Sequence, residues 1–368
     1  MTRFSQILLF LGACGLVACG GDDDGGIIIA DSGPTVDSGP DANLGCGDYE
    51  EASDGSNDEL ALAGLTGTAE GSGISFAAGD TKVICGVIDP AQANDSIGAL
   101  DVDSFDFEVS AGAAVRVVLR TDGADQTGGV LLFLQWIDPD GNPHTWGAGG
   151  FAEGYALATT GHEEAGTWRL VQVTFAGDTA PTAPIDYQLE IVERPACDAA
   201  AGEADYTEAL DGAKSRKNDA VSVSWDADPS FKLTRSTTDR PEATDLTLAA
   251  DTPVHIHGTS GDVTANDDYH DKDAYAMAIG EGINELDVRV TWADGTDADL
   301  DALAFIARMP EQELTGGNVA FGSTTPDDVG TARVPGGADM WLWVGTYTGA
   351  TDLPQDYDVT ICPRTFTP

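Results

Sequence analysis

The sequence predicts an all-β protein, two tandem antiparallel β-sandwiches behind a flexible N-terminal tether. Three observations predict it. The acidic residues are 46 Asp against 17 Glu, with 45 glycines beside them. Asp and Gly belong to turns and Glu to helices, so the bias favours short strands joined by loops. Apolar residues recur with a period of two, the spacing of a strand buried on one face. The chain also matches itself at an offset near 170 residues. Asp101-Val102-Asp103-Ser104-Phe105 aligns with Asp271-Lys272-Asp273-Ala274-Tyr275, Gly112 with Gly282, and Asp186-Tyr187 with Asp356-Tyr357. At 368 residues the chain has room for two domains of about 100–200 residues each.

Reading along the chain, Met1-Thr2-Arg3 carries one positive charge, and residues 4–13 are an apolar run too short to span a bilayer. That is the anatomy of a secretory signal peptide over 1–18. Leu16-Val17-Ala18-Cys19 resembles the lipobox of bacterial lipoproteins, which implies cleavage before an acylated Cys19. Residues 19–45 then form a Gly/Asp/Pro tether with a doubled D-S-G-P and little to bury. Gly20 stands where many Gram-negative lipoproteins destined for the inner membrane carry Asp, so the expected location is the outer membrane, on its periplasmic or cell-surface side. The membrane is then a partner through the lipid alone.

The two sandwiches are expected over 46–195 and 197–364. In the first, Phe105, Phe107 and Val109 alternate with polar neighbours, and Val115–Leu119 and Val130–Ile137 are denser runs expected of central strands. Trp168 to Phe175 and then Tyr187, Leu189 and Ile191 close that copy. In the second, Leu286, Val288 and Val290 alternate, Leu300–Ala307 is dense, and Met340–Tyr347 and Tyr357, Val359 and Ile361 repeat the closing strands. Glu203–Ala213 is the one stretch with some helical character.

The order D-x-D-x-aromatic, strand, Gly, strand, Asp-rich turn, G-x-W/Y strand and D-Y-x-L/V-x-I resembles the bacterial pre-peptidase C-terminal domain. That resemblance implies jelly-roll-like sandwiches attached to exported proteins, some of which bind calcium, polysaccharide or collagen. It covers nearly all of the mature chain. Copy one departs from it, with Gln126-Thr127-Gly128-Gly129 where copy two has Asp297-Ala298-Asp299-Leu300. Glu51–Asp58 is a further oxygen-rich loop, resembling the E-P-N-D opening of these domains without its Pro.

Net charge narrows the partners. With 17 basic and 63 acidic residues the chain carries −46, which argues against nucleic acid, because phosphate binding needs clustered Lys and Arg. The resemblance, not the charge, implies a polysaccharide or protein ligand.

Four cysteines lie in the mature body, an even number that reads as two disulfides in an exported protein. Cys46–Cys85 and Cys197–Cys362 are the favoured pairs, since each staples one copy; no C-x-x-C spacing supports zinc.

Asp101, Asp103, Asp267, Asp268, Asp271, Asp273 and Asp299 are the candidate calcium ligands, because calcium takes six to eight hard oxygens. The plain alternative is a solvated acidic rim. No other cofactor is expected. His255 and His257, two apart on a strand, share a face and are the candidate transition-metal ligands, with His270 close enough in sequence to join them. Their plain alternative is a pair of half-exposed strand histidines. Trp341 and Trp343 alternate onto one face and read as core rather than as a sugar platform. No G-x-S-x-G, H-E-x-x-H or P-loop is present. The expected function is therefore a non-catalytic binding or adhesion module of the envelope. A metal-dependent enzyme using His255 and His257 and a ligand-free envelope spacer are the rival readings.

Overall fold

The computed structural model describes residues 47–52, 68–77, 79–92, 99–110, 113–121, 130–137, 140–141, 143–149, 151–152, 155–161, 165–175, 182–195, 197, 203–209, 218–225, 231–236, 239–263, 269–293, 300–307, 314–320, 327–334, 336–347 and 350–367. Cys19 and its tether lie outside them. Among the described residues no helix is long and apolar enough to cross a membrane.

Strands dominate. The first half holds β1 (Tyr49–Glu50), β2 (Glu70–Ser75), β3 (Thr81–Ile88), β4 (Ala99–Val109) and β5 (Ala114–Thr121). It continues with β6 (Val130–Ile137), β7 (Pro143–Gly149), β8 (Phe151–Ala152), β9 (Tyr155–Gly161), β10 (Gly166–Phe175) and β11 (Ile185–Arg194). The second half opens with β12 (Tyr206–Thr207), β13 (Val221–Trp225), β14 (Phe231–Arg235), β15 (Glu242–Leu248), β16 (Val254–Ser260) and β17 (Tyr269–Ile279). It ends with β18 (Glu285–Trp292), β19 (Leu300–Ala307), β20 (Leu314–Ala320), β21 (Asp327–Arg333), β22 (Asp339–Tyr347) and β23 (Gln355–Arg364).

The repeat predicted from sequence is a repeat of topology. One sheet of the first sandwich runs β1-β3-β11-β5-β9-β8 and its counterpart β12-β16-β23-β18-β21. The facing sheets run β2-β4-β10-β6-β7 and β15-β17-β22-β19-β20. The short leading pairs β1/β3 and β12/β16 are parallel in both, as are β2/β4 and β15/β17, while the central pairs are antiparallel. The β13–β14 hairpin, packed against β17, belongs to the second half alone among the described residues. Within Glu203–Ala213, the stretch expected to have some helical character, Tyr206–Thr207 is instead a short strand, paired with β16.

Period-two patterning explains the cores. Phe105, Phe107, Val115, Val117, Leu119, Trp168, Leu170, Tyr187, Leu189 and Ile191 are buried together between the first pair of sheets. Tyr275, Met277, Leu286, Val288, Val290, Met340, Leu342, Tyr357, Val359 and Ile361 fill the second. Burying side chains of this size contributes about 1.5–3 kcal/mol each before conformational entropy is set against it. Trp341 and Trp343 point away from that core, on the opposite face of β22 from Met340 and Leu342. Both are buried nonetheless, Trp343 edge-on to Tyr269 at 4.8 Å between ring centroids.

Cys197 is joined to Cys362 across 165 residues. Cys85 is disulfide-bonded too, and Cys46, the partner expected for it, lies outside the described residues.

Candidate functional site

Each sandwich buries a group of carboxylates and tyrosines at one end, built from the same positions twice. In the first, Asp101 and Asp103 share the inward parity of Phe105 and Phe107 on β4, so their carboxyl groups enter the space between the sheets. Asp101 is 1% exposed and Asp103 0%, which corrects the solvated-rim alternative. Asp271 and Asp273 on β17 are likewise 1% exposed.

Buried carboxylates need partners, because an isolated ion in a low-dielectric interior is strongly disfavoured. Tyr187 Oη donates to Asp103 Oδ2 at 2.9 Å, and Tyr357 Oη to Asp273 Oδ2 at 2.6 Å. Asp101 Oδ2 accepts the Asp89 N–H at 2.7 Å and Oδ1 the Val102 N–H at 3.0 Å. Asp271 accepts the corresponding Gly261 and Lys272 N–H groups. In the second sandwich Tyr275 extends the chain, its hydroxyl 2.7 Å from that of Tyr357; Phe105 occupies that place in the first.

Sequence reading singled out Glu51 but missed the rest of a second set of acids. Asp48-Tyr49-Glu50-Glu51 and Asp205-Tyr206-Thr207-Glu208 are the same D-Y-x-E motif on β1 and β12. Asp48 accepts the Val83 N–H at 2.9 Å and Asp205 the His255 N–H at 2.8 Å. Glu51 accepts the Val87 N–H at 3.0 Å and Glu208 the Thr259 N–H at 2.8 Å. Tyr49 donates to Glu70 and Tyr206 to Glu242, both at 2.8 Å. The signal was present but out of step. Tyr206 − Tyr49 is 157, whereas Glu242 − Glu70 is 172, and the difference of 15 residues is the segment carrying the β13–β14 hairpin.

Two glycines make room for these groups. A Cβ on Gly86 would stand 2.7 Å from Glu51 Oε2 and collide with the Tyr187 hydroxyl; one on Gly258 would meet the Tyr357 and Tyr275 hydroxyls at 2.5 and 2.6 Å.

The electrostatics follow from crowding. Burial, then the charges of Asp101 and Glu51 and a hydrogen bond with Glu51, hold the Asp103 carboxyl well above the usual range, with Tyr187 opposing. Burial likewise raises Glu208. Tyr49 and Tyr206 are pushed up to about 12 by burial and their Glu partners.

Asp267, Asp268 and Asp299 lie outside the described residues. As the side chains stand, no group of three or more His, Cys, Asp or Glu among the described residues could hold a metal ion. The histidine pair is placed on the outward face of β16. His255 Nε2 and His257 Nδ1 each lie 2.9 Å from the same oxygen, Asp358 Oδ1. His255 is 20% and His257 39% exposed. His270 does not join them, for its Nδ1 bonds the Val263 carbonyl at 2.9 Å.

No family model matches the chain, and no curated protein matches it in sequence. Among solved structures it is similar to the tandem CBM22-1-CBM22-2 domains of Paenibacillus barcinonensis Xyn10C, at 11% identity, with 71% of this chain and 82% of that one covered and a TM-score of 0.20. It is also similar to the CUB1-EGF-CUB2 domain of human MASP-1/3, at 8% identity, with 76% and 99% covered and a TM-score of 0.19. The M60 catalytic domain with two CBM51 domains from Clostridium perfringens ZmpB follows, at 11% identity, 72% and 34% covered and 0.18. Likenesses this loose carry no argument.

Proposed function

We propose that the chain is an exported, lipid-anchored, non-catalytic tandem β-sandwich that binds a polysaccharide or protein at the cell envelope. One observation carries the non-catalytic part. The acids of these clusters accept backbone N–H groups, a structural use: Asp48, Glu51 and Asp101 in one copy, Asp205, Glu208 and Asp271 in the other. The lipobox-like Leu16–Cys19 and the tether behind it support the anchor, and the repeated motifs support kinship with pre-peptidase C-terminal domains.

Calcium is the cation we propose for these clusters. The donors are hard oxygens only, which suits calcium and not a transition metal. Asp101 and Asp103 with Glu51, and Asp271 and Asp273 with Glu208, would hold it together with ligands from the neighbouring loops. A divalent cation would also relieve the repulsion from Asp101 and Glu51 that adds to burial in raising Asp103. The test is calorimetric melting of the chain from residue 46, chelated and then resupplied with calcium. A rise in Tm that disappears in Asp271→Ala/Asp273→Ala supports the site; an unchanged Tm refutes it. Co-sedimentation with insoluble cell-wall polysaccharides and with collagen tests the binding role, and loss of membrane fractionation in Cys19→Ser tests the anchor.

The enzyme reading loses ground at His255 and His257. Asp358 engages one nitrogen of each ring, His255 Nε2 and His257 Nδ1, through a single oxygen, the arrangement of a hydrogen-bond cluster.

A further inference from the structure

The outward face of the sheet containing β5 is covered by the other half of the chain. Along β5 the inward Val115, Val117 and Leu119 alternate with Arg116, Val118 and Arg120. Val118 points outward yet is 0% exposed, because it packs against Phe366 in the tail after β23. That tail is pinned by a reciprocal pair, Phe366 N–H to Asn284 Oδ1 at 2.7 Å and Asn284 Nδ2 to Phe366 O at 2.6 Å. The Arg116 guanidinium lies over the same Phe366 ring, 4.1 Å from its centroid, where the ring's negative face attracts a cation.

Beside it runs a buried charge network. Glu285 Oε2 accepts from Arg116 Nη1 at 3.3 Å and from Arg194 Nη1 at 2.5 Å. Arg194 Nη2 also stands 2.5 Å from Asp287 Oδ1, a charge contact at a poor hydrogen-bond angle, while Arg364 Nε donates to Asp287 Oδ2 at 3.2 Å. Glu285 is 1% and Asp287 0% exposed. Exposed ion pairs contribute little, but removing one partner of a buried pair strands the other charge in a low dielectric. Strand β21 runs alongside β9 and β5 at the same seam.

The covalent link is drawn tight at this point as well. Arg194 ends β11, and Cys197, three residues on, is tied to Cys362 opposite Asp287 on β18. The seam is not a product of the repeat. Arg116 stands between Val115 and Val117 where the second copy has Asp287 between Leu286 and Val288, the same outward position with opposite charge.

We propose that the two sandwiches are one rigid, cooperatively unfolding body, locked by the capture of Arg116 and Arg194 by Glu285, Asp287 and the Phe366 ring. Their outer surfaces then face any ligand at a fixed spacing, and an extended partner is read across both at once. The inference is independent of which ligand binds.

Spin labels on Ser75→Cys and Thr252→Cys, both exposed, report the distance between sandwiches, and calorimetry reports their coupling. The otherwise wild-type chain should give a narrow distance distribution and one melting transition. Arg116→Ala/Phe366→Ala, which leaves Glu285 paired with Arg194, should broaden the distribution and split the melt into two transitions with unchanged far-ultraviolet dichroism. A broad distribution or two transitions in the wild-type lock overturns the proposal, as does a double variant that keeps both narrow width and single melt. If that variant does not fold, the width in the wild-type lock decides alone.

Discussion

Tyr187 donates its hydroxyl hydrogen bond to Asp103 at 2.9 Å, both side chains within 1% of full burial and 84 residues apart. The second sandwich repeats the relation with Tyr357 and Asp273. Replacing Tyr187 by Phe keeps the ring in the core and leaves the carboxylate without this donor. Tyr187→Phe is expected to lose about 1–3 kcal/mol in urea unfolding, the range for leaving a buried polar group without its partner. A loss below about 0.5 kcal/mol would show that Asp103 is held by its other partners.

Acidity should reveal the crowding around Asp103. Its folded-state pKa lies well above the unfolded value, chiefly through burial. The folded protein therefore holds that proton more tightly, and the ionised form weakens the fold at neutral pH. The penalty is relieved as pH falls through the raised pKa toward the ordinary carboxylate value of about 4. In chelated buffer Tm should rise on acidification from pH 8, and rise less in Asp103→Asn. Parallel curves for the two proteins would contradict this.

Two left-handed backbone positions separate the copies. Gly73 and Gly79 have φ of 66° and 86°, while Asp245 and Asp251, each 172 residues later, have 57° and 55°. A residue with a Cβ is strained there, and glycine is not. Asp245 is exposed, so Asp245→Gly should stabilise by up to about 1 kcal/mol, and Gly73→Asp should destabilise by a similar amount. Urea midpoints moving in the same direction for both would refute the argument.

Self-repulsion should make the protein salt-dependent. At a net charge of −46 the surface repels itself unless screened, and the Debye length shrinks from about 30 Å at 0.01 M to about 8 Å at 0.15 M. Melting at 0.01 M salt should fall clearly below that at 0.15 M and above. Identical temperatures would mean that the charges sit too far apart to matter.

Removing the Cys197–Cys362 bridge with serines releases a loop of 165 residues. The chain-entropy model sets an upper loss of about 5 kcal/mol for such a loop. A double serine variant as stable as the parent would show that the seam and core hold the second sandwich without it.

Strand positions were legible because they are local. Val130–Ile137 and Leu300–Ala307 match β6 and β19 at both ends, since a dense apolar run bounded by turn residues marks a central strand whatever it packs against. The D-Y-x-E motif was harder to find, because the hairpin segment in the second copy moves it out of the common offset. Asp101 and Asp103 show the limit of the same reasoning. Their spacing says that both face one side of β4, but an inward and an outward carboxylate pair have identical sequence patterns.

The repeat was legible as a constant offset, and the strands and the alternation of their faces as properties of residues a few positions apart. Three-dimensional packing was needed to settle which face is inward at the polar ends, that Glu51 meets Asp103, and that Arg116 meets Glu285 across 169 residues. Those partners are chosen by how sheets stack and how two sandwiches dock. In a chain with 63 acids, no spacing rule distinguishes the few that end up buried from the many that stay in water.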